Sequence, residues 1–132
     1  MKIKINILLS VMLLAISISC GGKKADQDFD KKPSIDKATY PLAEKGKEIF
    51  EGKGICINCH KLDIKLVGPS IQEMAKIYKE KKISIATFLT GTEEPVIDPE
   101  QYEVMKINFE LTKNFTDEER LALEQYIFSQ GK

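Results

Sequence analysis

The densest group of reactive side chains lies mid-chain, in the run Cys56-Ile57-Asn58-Cys59-His60. Two thiols separated by two residues, with an imidazole directly after them, suit three kinds of chemistry. A thioredoxin-like redox pair needs only the two cysteines, but it expects a βαβ pattern around them, and this sequence offers none. A closed structural zinc site needs four ligands. Here His60 is the sole histidine, and the remaining cysteine, Cys20, sits far away near the N-terminus. The third chemistry is covalent haem attachment, for which Cys-x-x-Cys-His is the specific signature. The thiols of Cys56 and Cys59 can add across the vinyl groups of one haem edge. His60 is then placed against the iron from one face, the usual protein choice of proximal ligand.

A single histidine limits what the second face of the iron can receive. Bis-histidine ligation within one chain is excluded, which leaves methionine, lysine, water or no ligand. Beyond the N-terminal segment the methionines are Met74 and Met105. Met74 lies 14 residues after His60, in a helical pattern whose apolar face already accounts for it. Met105 lies 45 residues after His60, past a loop containing Pro95 and Pro99, far enough to reach the opposite face. It is the candidate sixth ligand, although it also begins an apolar stripe and could serve as core.

These residues need a scaffold, and the N-terminus is not part of it. Met1-Lys2-Ile3-Lys4 is basic, and Ile5 to Ile18 is apolar apart from Asn6, Ser10 and Ser17. That order matches a secretory signal, and the run is short of the about 20 apolar residues of a membrane-spanning helix. Its end, Ser17-Ile18-Ser19-Cys20-Gly21-Gly22, resembles a bacterial lipoprotein signal, with Ser17 where an aliphatic residue is usual. The resemblance implies a signal over 1–19 and lipid on Cys20. The three cysteines of the chain are then all used, two by haem and one by lipid. Residues 20–39 are polar, dense in charge of both signs, and hold too few apolar groups to offset the entropy of ordering. They are expected to form a flexible tether.

The whole chain of 132 residues carries 20 basic and 20 acidic side chains. Loss of Lys2 and Lys4 with the signal would leave a formal charge of −2. No basic patch points to a nucleic-acid partner. The domain, expected over 40–132, has fewer than 100 residues, a size that often needs a metal or covalent staple. A buried haem would provide much of its core.

The elements around the motif read as helices. One begins near Pro41, buries Leu42, Ile49 and Phe50, and ends near Gly54. A second spans 70–81 with Ile71, Met74, Ile77 and Tyr78 inward, and a third spans 84–89 before Gly91. Met105, Ile107, Phe109 and Leu111 alternate with polar residues, a period of two that predicts extended chain. Thr116 and Glu119 have the spacing of a capping box, and a last helix follows with Leu123, Tyr126 and Ile127 inward. The expected class is all-α: a small domain of three to four helices around one haem, preceded by a signal peptide and a tether.

Over about residues 40–130 this order of features resembles class I, mono-haem cytochromes c. The features are Gly46 and Phe50 before the haem motif, Gly68-Pro69 after it, Met105 late in the chain and Tyr126 in the final helix. The resemblance implies that the first helix crosses the last closely at Gly46, beside Tyr126. It implies that the Pro69 carbonyl accepts a hydrogen bond from His60 and fixes its ring. In the family proline often follows the methionine, whereas Lys106 stands here. The functional expectation is a membrane-tethered carrier of single electrons in the periplasm or cell envelope. Its partners would be a quinol-oxidising complex and an oxidase, reductase or peroxidase. A haem c subunit of a larger redox enzyme, or a five-coordinate haem sensor, is the alternative.

Overall fold

A computed structural model describes residues 35–131 of the protein. The expected signal over 1–19, Cys20 and most of the expected tether lie outside the described residues. The last part of the tether segment is described. Asp36 there accepts hydrogen bonds from the Ala38 amide at 3.0 Å and the Thr39 hydroxyl at 2.6 Å, and the Tyr40 amide closes the turn onto the Asp36 carbonyl.

Five α-helices follow, with no β-strand among the described residues. They are α1 (Ala43–Glu51), α2 (Ile71–Lys81), α3 (Ile85–Phe88), α4 (Tyr102–Thr112) and α5 (Asp117–Ser129). Short 3-10 turns occupy Cys56–Asn58 and Pro99–Gln101. The all-α class holds. None of the described helices is long and apolar enough to cross a membrane.

Helix α5 organises the others, and its start is the best specified. Thr116 accepts a bond from the Glu119 amide at 3.2 Å while the Glu119 carboxylate accepts one from the Thr116 amide at 3.0 Å. The reciprocal pair satisfies two amides that the first turn would otherwise strand. Ala122, Leu123, Tyr126 and Ile127 form its buried stripe. Two polar residues of α5 reach out to start other helices. Gln125 accepts from the Leu42 amide at 2.8 Å, just before α1. Glu124 accepts from the Ser84 hydroxyl at 2.6 Å and the Ala86 amide at 2.9 Å, at the start of α3.

Helix α1 crosses α5 at Gly46. A Cβ there would sit 1.9 Å from the Ala122 carbonyl oxygen and 2.8 Å from the Tyr126 Cβ. Only a residue without a side chain permits backbones to approach this closely. Beside the crossing, the Phe50 and Tyr126 rings meet edge to face, 5.2 Å between centroids. The close crossing implied by the family resemblance is present. Helix α1 ends at Glu51, with Gly52 as its cap, three residues earlier than the end expected near Gly54. Gly54 still turns the chain, its amide donating to the Ile49 carbonyl at 2.7 Å.

The segment 105–111 is helical, not extended, and this corrects the sequence reading. The residues of α4 that turn inward are Tyr102, Met105, Phe109 and Thr112, which follow a helical spacing. The apolar alternation misleads because Ile107 lies on the outer face, 75% exposed, while the polar Thr112 is buried. Thr112 meets the cost of burial by donating its hydroxyl to the Leu89 carbonyl at 2.7 Å. Phe109 packs edge to face on Phe88, 5.3 Å between centroids, and close to Gly91, whose φ is +80°. These contacts hold α4 against α3 and bring Met105 round to the haem motif.

Candidate functional site: a cleft between the haem motif and α4

Gly52 to Gly54 leads into Ile55, a β-branched residue held at φ +48°. This conformation is costly for such a side chain, and it turns the chain abruptly into Cys56. In the short turn that follows, the amides of Cys59 and His60 both donate to the Cys56 carbonyl, at 3.1 and 3.0 Å. The turn brings both cysteines and the imidazole onto the wall of one cleft. The Cys56 thiol donates to the Gly54 carbonyl at 3.3 Å, and burial pushes its pKa up to about 11.

His60 is held from behind. Its Nδ1 lies 2.8 Å from the Pro69 carbonyl oxygen. Because a carbonyl can only accept, Nδ1 carries the proton, and Nε2 keeps its lone pair for a metal. Burial lowers the pKa of the ring, and the bond to Pro69 offsets part of that effect. Gly68 lies against the ring: a Cβ there would sit 2.3 Å from Cε1 and 2.8 Å from Nδ1. The loop is fixed in turn by its backbone, since the Gly68 amide donates to the Cys59 carbonyl at 3.0 Å and Ile71 donates to Lys61 at 2.8 Å.

Further lining comes from α4 and the turn before it. Met105, Tyr102 and Asn108 line the cleft, with Asp98 and Gln101 at its edge. The Asn108 amide is 3.9 Å from the Met105 sulfur. Asp98 pairs with Lys65, which follows the haem motif. Phe50, Ile85, Leu89, Leu123 and Ile127 make the cleft floor apolar. Met74 is buried in the core as expected, and it also lines the cleft.

The empty space in and around the cleft, open solvent at its mouth included, is about 990 Å³. An apolar cleft lined by two thiols, an imidazole and a thioether fits a haem in polarity and donor set.

The cytochrome c family model matches residues 43–130 of the chain. This protein belongs to the cytochrome c family. No curated protein matches it. Membership brings one covalent haem c, and the Cys56, Cys59 and His60 motif is in place to receive it. Cytochrome c domains are typically electron carriers and are typically exported from the cytoplasm.

Of the residues singled out from the sequence, Cys56, Cys59, His60, Pro69 and Met105 all line this cleft, and Cys20 lies outside the described residues. Other lining residues went unnoticed. Asn108 is three residues after Met105, a helical neighbour, and the extended reading of this stretch hid that relation. Phe88 and Tyr102 carried no signal beyond being aromatic. Tyr78 was recognisable only as one member of an inward helical face.

Proposed function

We propose that this cytochrome c is a membrane-tethered carrier of single electrons whose haem iron is held between His60 and Met105. The observation that supports it most is that Met105 lines the same apolar cleft as Cys56, Cys59 and His60. Bound haem supplies a one-electron Fe(III)/Fe(II) couple. The chain does the rest. Cys56 and Cys59 fix the porphyrin edge through thioethers. His60 offers Nε2 from one face, and Pro69 keeps the other nitrogen protonated and the ring oriented. Met105 closes the opposite face, leaving no open position for bond chemistry. A thioether ligand and an apolar slot favour Fe(II) and raise the potential relative to bis-histidine ligation.

Cys20 is the proposed lipid anchor and residues 20–39 the tether, which places the protein on the outer side of a cytoplasmic membrane or elsewhere in the envelope. Anchoring raises the carrier's local concentration near membrane partners, so brief docking suffices. The proposed partners are a quinol-oxidising complex and an oxidase, reductase or peroxidase. Two measurements test the reading. Reduced protein should bind carbon monoxide slowly and weakly; fast, tight binding would assign a five-coordinate haem and a sensor or enzyme role. Cys20→Ala should move the haem protein from the membrane to the soluble fraction, and an unchanged distribution would remove the lipid anchor.

A further inference from the structure

Haem brings propionate carboxylates into its site, and an anion buried in an apolar slot needs donors. Among the described residues, the cleft lining contains no lysine and no arginine. Any donor to a carboxylate inside it must therefore be neutral, and most of the neutral donors are committed elsewhere. The Thr112 hydroxyl donates to the Leu89 carbonyl at 2.7 Å. The Tyr102 hydroxyl donates to the Glu93 carbonyl at 3.0 Å. The Asn108 amide turns to the Met105 sulfur, and His60 Nδ1 is taken by Pro69. Gln101 sits at the exposed edge.

Tyr78 is different. It lies on α2, it is 4% exposed, and it lines the cleft. Its ring packs edge to face on Phe88, 6.0 Å between centroids. Its hydroxyl makes no hydrogen bond with any other described residue. Yet no fully sealed side-chain oxygen or nitrogen among the described residues lacks a partner. The Tyr78 oxygen therefore borders open space, and Tyr78 is one of the residues that line the cleft. A phenol hydroxyl placed there without a partner is a donor awaiting an acceptor.

We propose that the Tyr78 hydroxyl donates a hydrogen bond to a propionate carboxylate of the bound haem and so sets the pH at which that carboxylate titrates. The inference rests on haem occupying the cleft, and it is independent of whether Met105 ligates iron. A carboxylate is the stronger acceptor on offer, because a charged oxygen forms bonds about twice as strong as neutral pairs while a thioether accepts weakly. Burial holds the Tyr78 phenol well above its usual pKa, so the group stays a donor across the working pH range. The other titratable groups on the lining are His60, Asp98 and Tyr102, with the thiols of Cys56 and Cys59 consumed by attachment. Asp98 is paired with Lys65, Tyr102 with the Glu93 carbonyl and Thr112 with the Leu89 carbonyl, so that among the hydroxyls of the lining Tyr78 is the one without a described partner.

The test compares the reduction potential of wild-type and Tyr78→Phe holoprotein as a function of pH. The variant keeps the ring and its packing and loses one oxygen. A hydrogen bond to a charged group contributes about 1.5–3 kcal/mol, and each pH unit corresponds to about 1.4 kcal/mol. The haem-linked break in the potential–pH profile should therefore move up by about one to two pH units in Tyr78→Phe. A break that stays in place overturns the proposal. So does a far-red iron–sulfur band that shifts in the variant while the break stays, since the hydroxyl would then serve Met105. Proton NMR of the reduced wild type supplies a second reading. A slowly exchanging Tyr78 hydroxyl proton close to a propionate methylene is expected, and its absence contradicts the proposal. If the wild type lacks the far-red band altogether, the Met105 reading fails while the pH comparison still decides the role of Tyr78.

Discussion

Replacing Gly68 by alanine tests how the proximal histidine is held. The added Cβ would fall 2.3 Å from His60 Cε1, 2.8 Å from Nδ1 and 2.9 Å from Nε2. Carbon atoms not bonded to each other essentially never approach within 3.0 Å, so ring or loop must shift by most of an ångström. Neither shift is free. The loop is tied by the Gly68 amide to Cys59, and the ring by its 2.8 Å bond to Pro69. Overpacking of this kind costs about 1–3 kcal/mol, and a weakened hydrogen bond adds about 0.5–1.5 kcal/mol. Helix propensity gives no offset, because Gly68 lies in a loop. The expected loss is about 2–4 kcal/mol, and one kcal/mol moves the melting temperature of a domain this size by about 4–8 °C. Thermal unfolding of oxidised Gly68→Ala holoprotein should therefore show a midpoint at least about 10 °C below wild type. The reduction potential should shift too, since the Pro69 bond tunes the basicity of His60. A variant with wild-type midpoint and potential would refute the claim that Gly68 positions His60.

Three further substitutions probe the scaffold. Gly46→Ala gains about 1 kcal/mol of helix propensity, but its Cβ meets the Ala122 carbonyl oxygen at 1.9 Å; a net loss of about 2 kcal/mol is expected in denaturant unfolding, and a stabilised variant would contradict the crossing. Ile55→Gly removes a left-handed β-branched residue worth about 1–2 kcal/mol of strain at a half-exposed position. After the entropy Gly adds to the unfolded chain, the unfolding midpoint should rise slightly or stay level, and a clear fall would show that Ile55 does more than turn the chain. Thr116→Ala should cost about 1 kcal/mol by removing the capping box. The box also carries a pH signature. Bonds from Lys53 and from the Thr116 amide hold Glu119 below the usual carboxylate range, so its contribution is complete above the unfolded pKa and lost as pH falls through the lower folded value. Because those bonds come from Lys53 and a backbone amide, Thr116→Ala should keep the acid-side decline that Glu119 contributes.

Much of this protein was legible from side-chain chemistry and local signals. The haem motif needs no fold to be read, because spacing alone puts two thiols and an imidazole together. Ser70 and Thr116 mark helix starts, since their hydroxyls satisfy amides of the first turn. Gly46 was legible through the family resemblance, and the crossing at Ala122 gives its physical reason. The stretch 105–111 was misread because two periods overlap there. Ile107 is apolar and outside, Thr112 polar and inside, and only the tertiary partner Leu89 explains the second. The polar lining of the cleft was hidden for a related reason. Tyr78 was read only as one residue of an inward apolar face and Asn108 as a polar position of an extended stretch, and their roles depend on which space they face. Gln125 and Glu124 capping other helices depend likewise on contacts distant in sequence.

The account turns on Met105 facing His60 across the haem. The most direct test is the absorption spectrum of the oxidised holoprotein in the far red, where an iron–thioether bond gives a weak band. The wild type should show the band, and Met105→Ala should lose it while keeping covalent haem. A wild type without the band, or a Met105→Ala variant that retains it, would contradict the assignment.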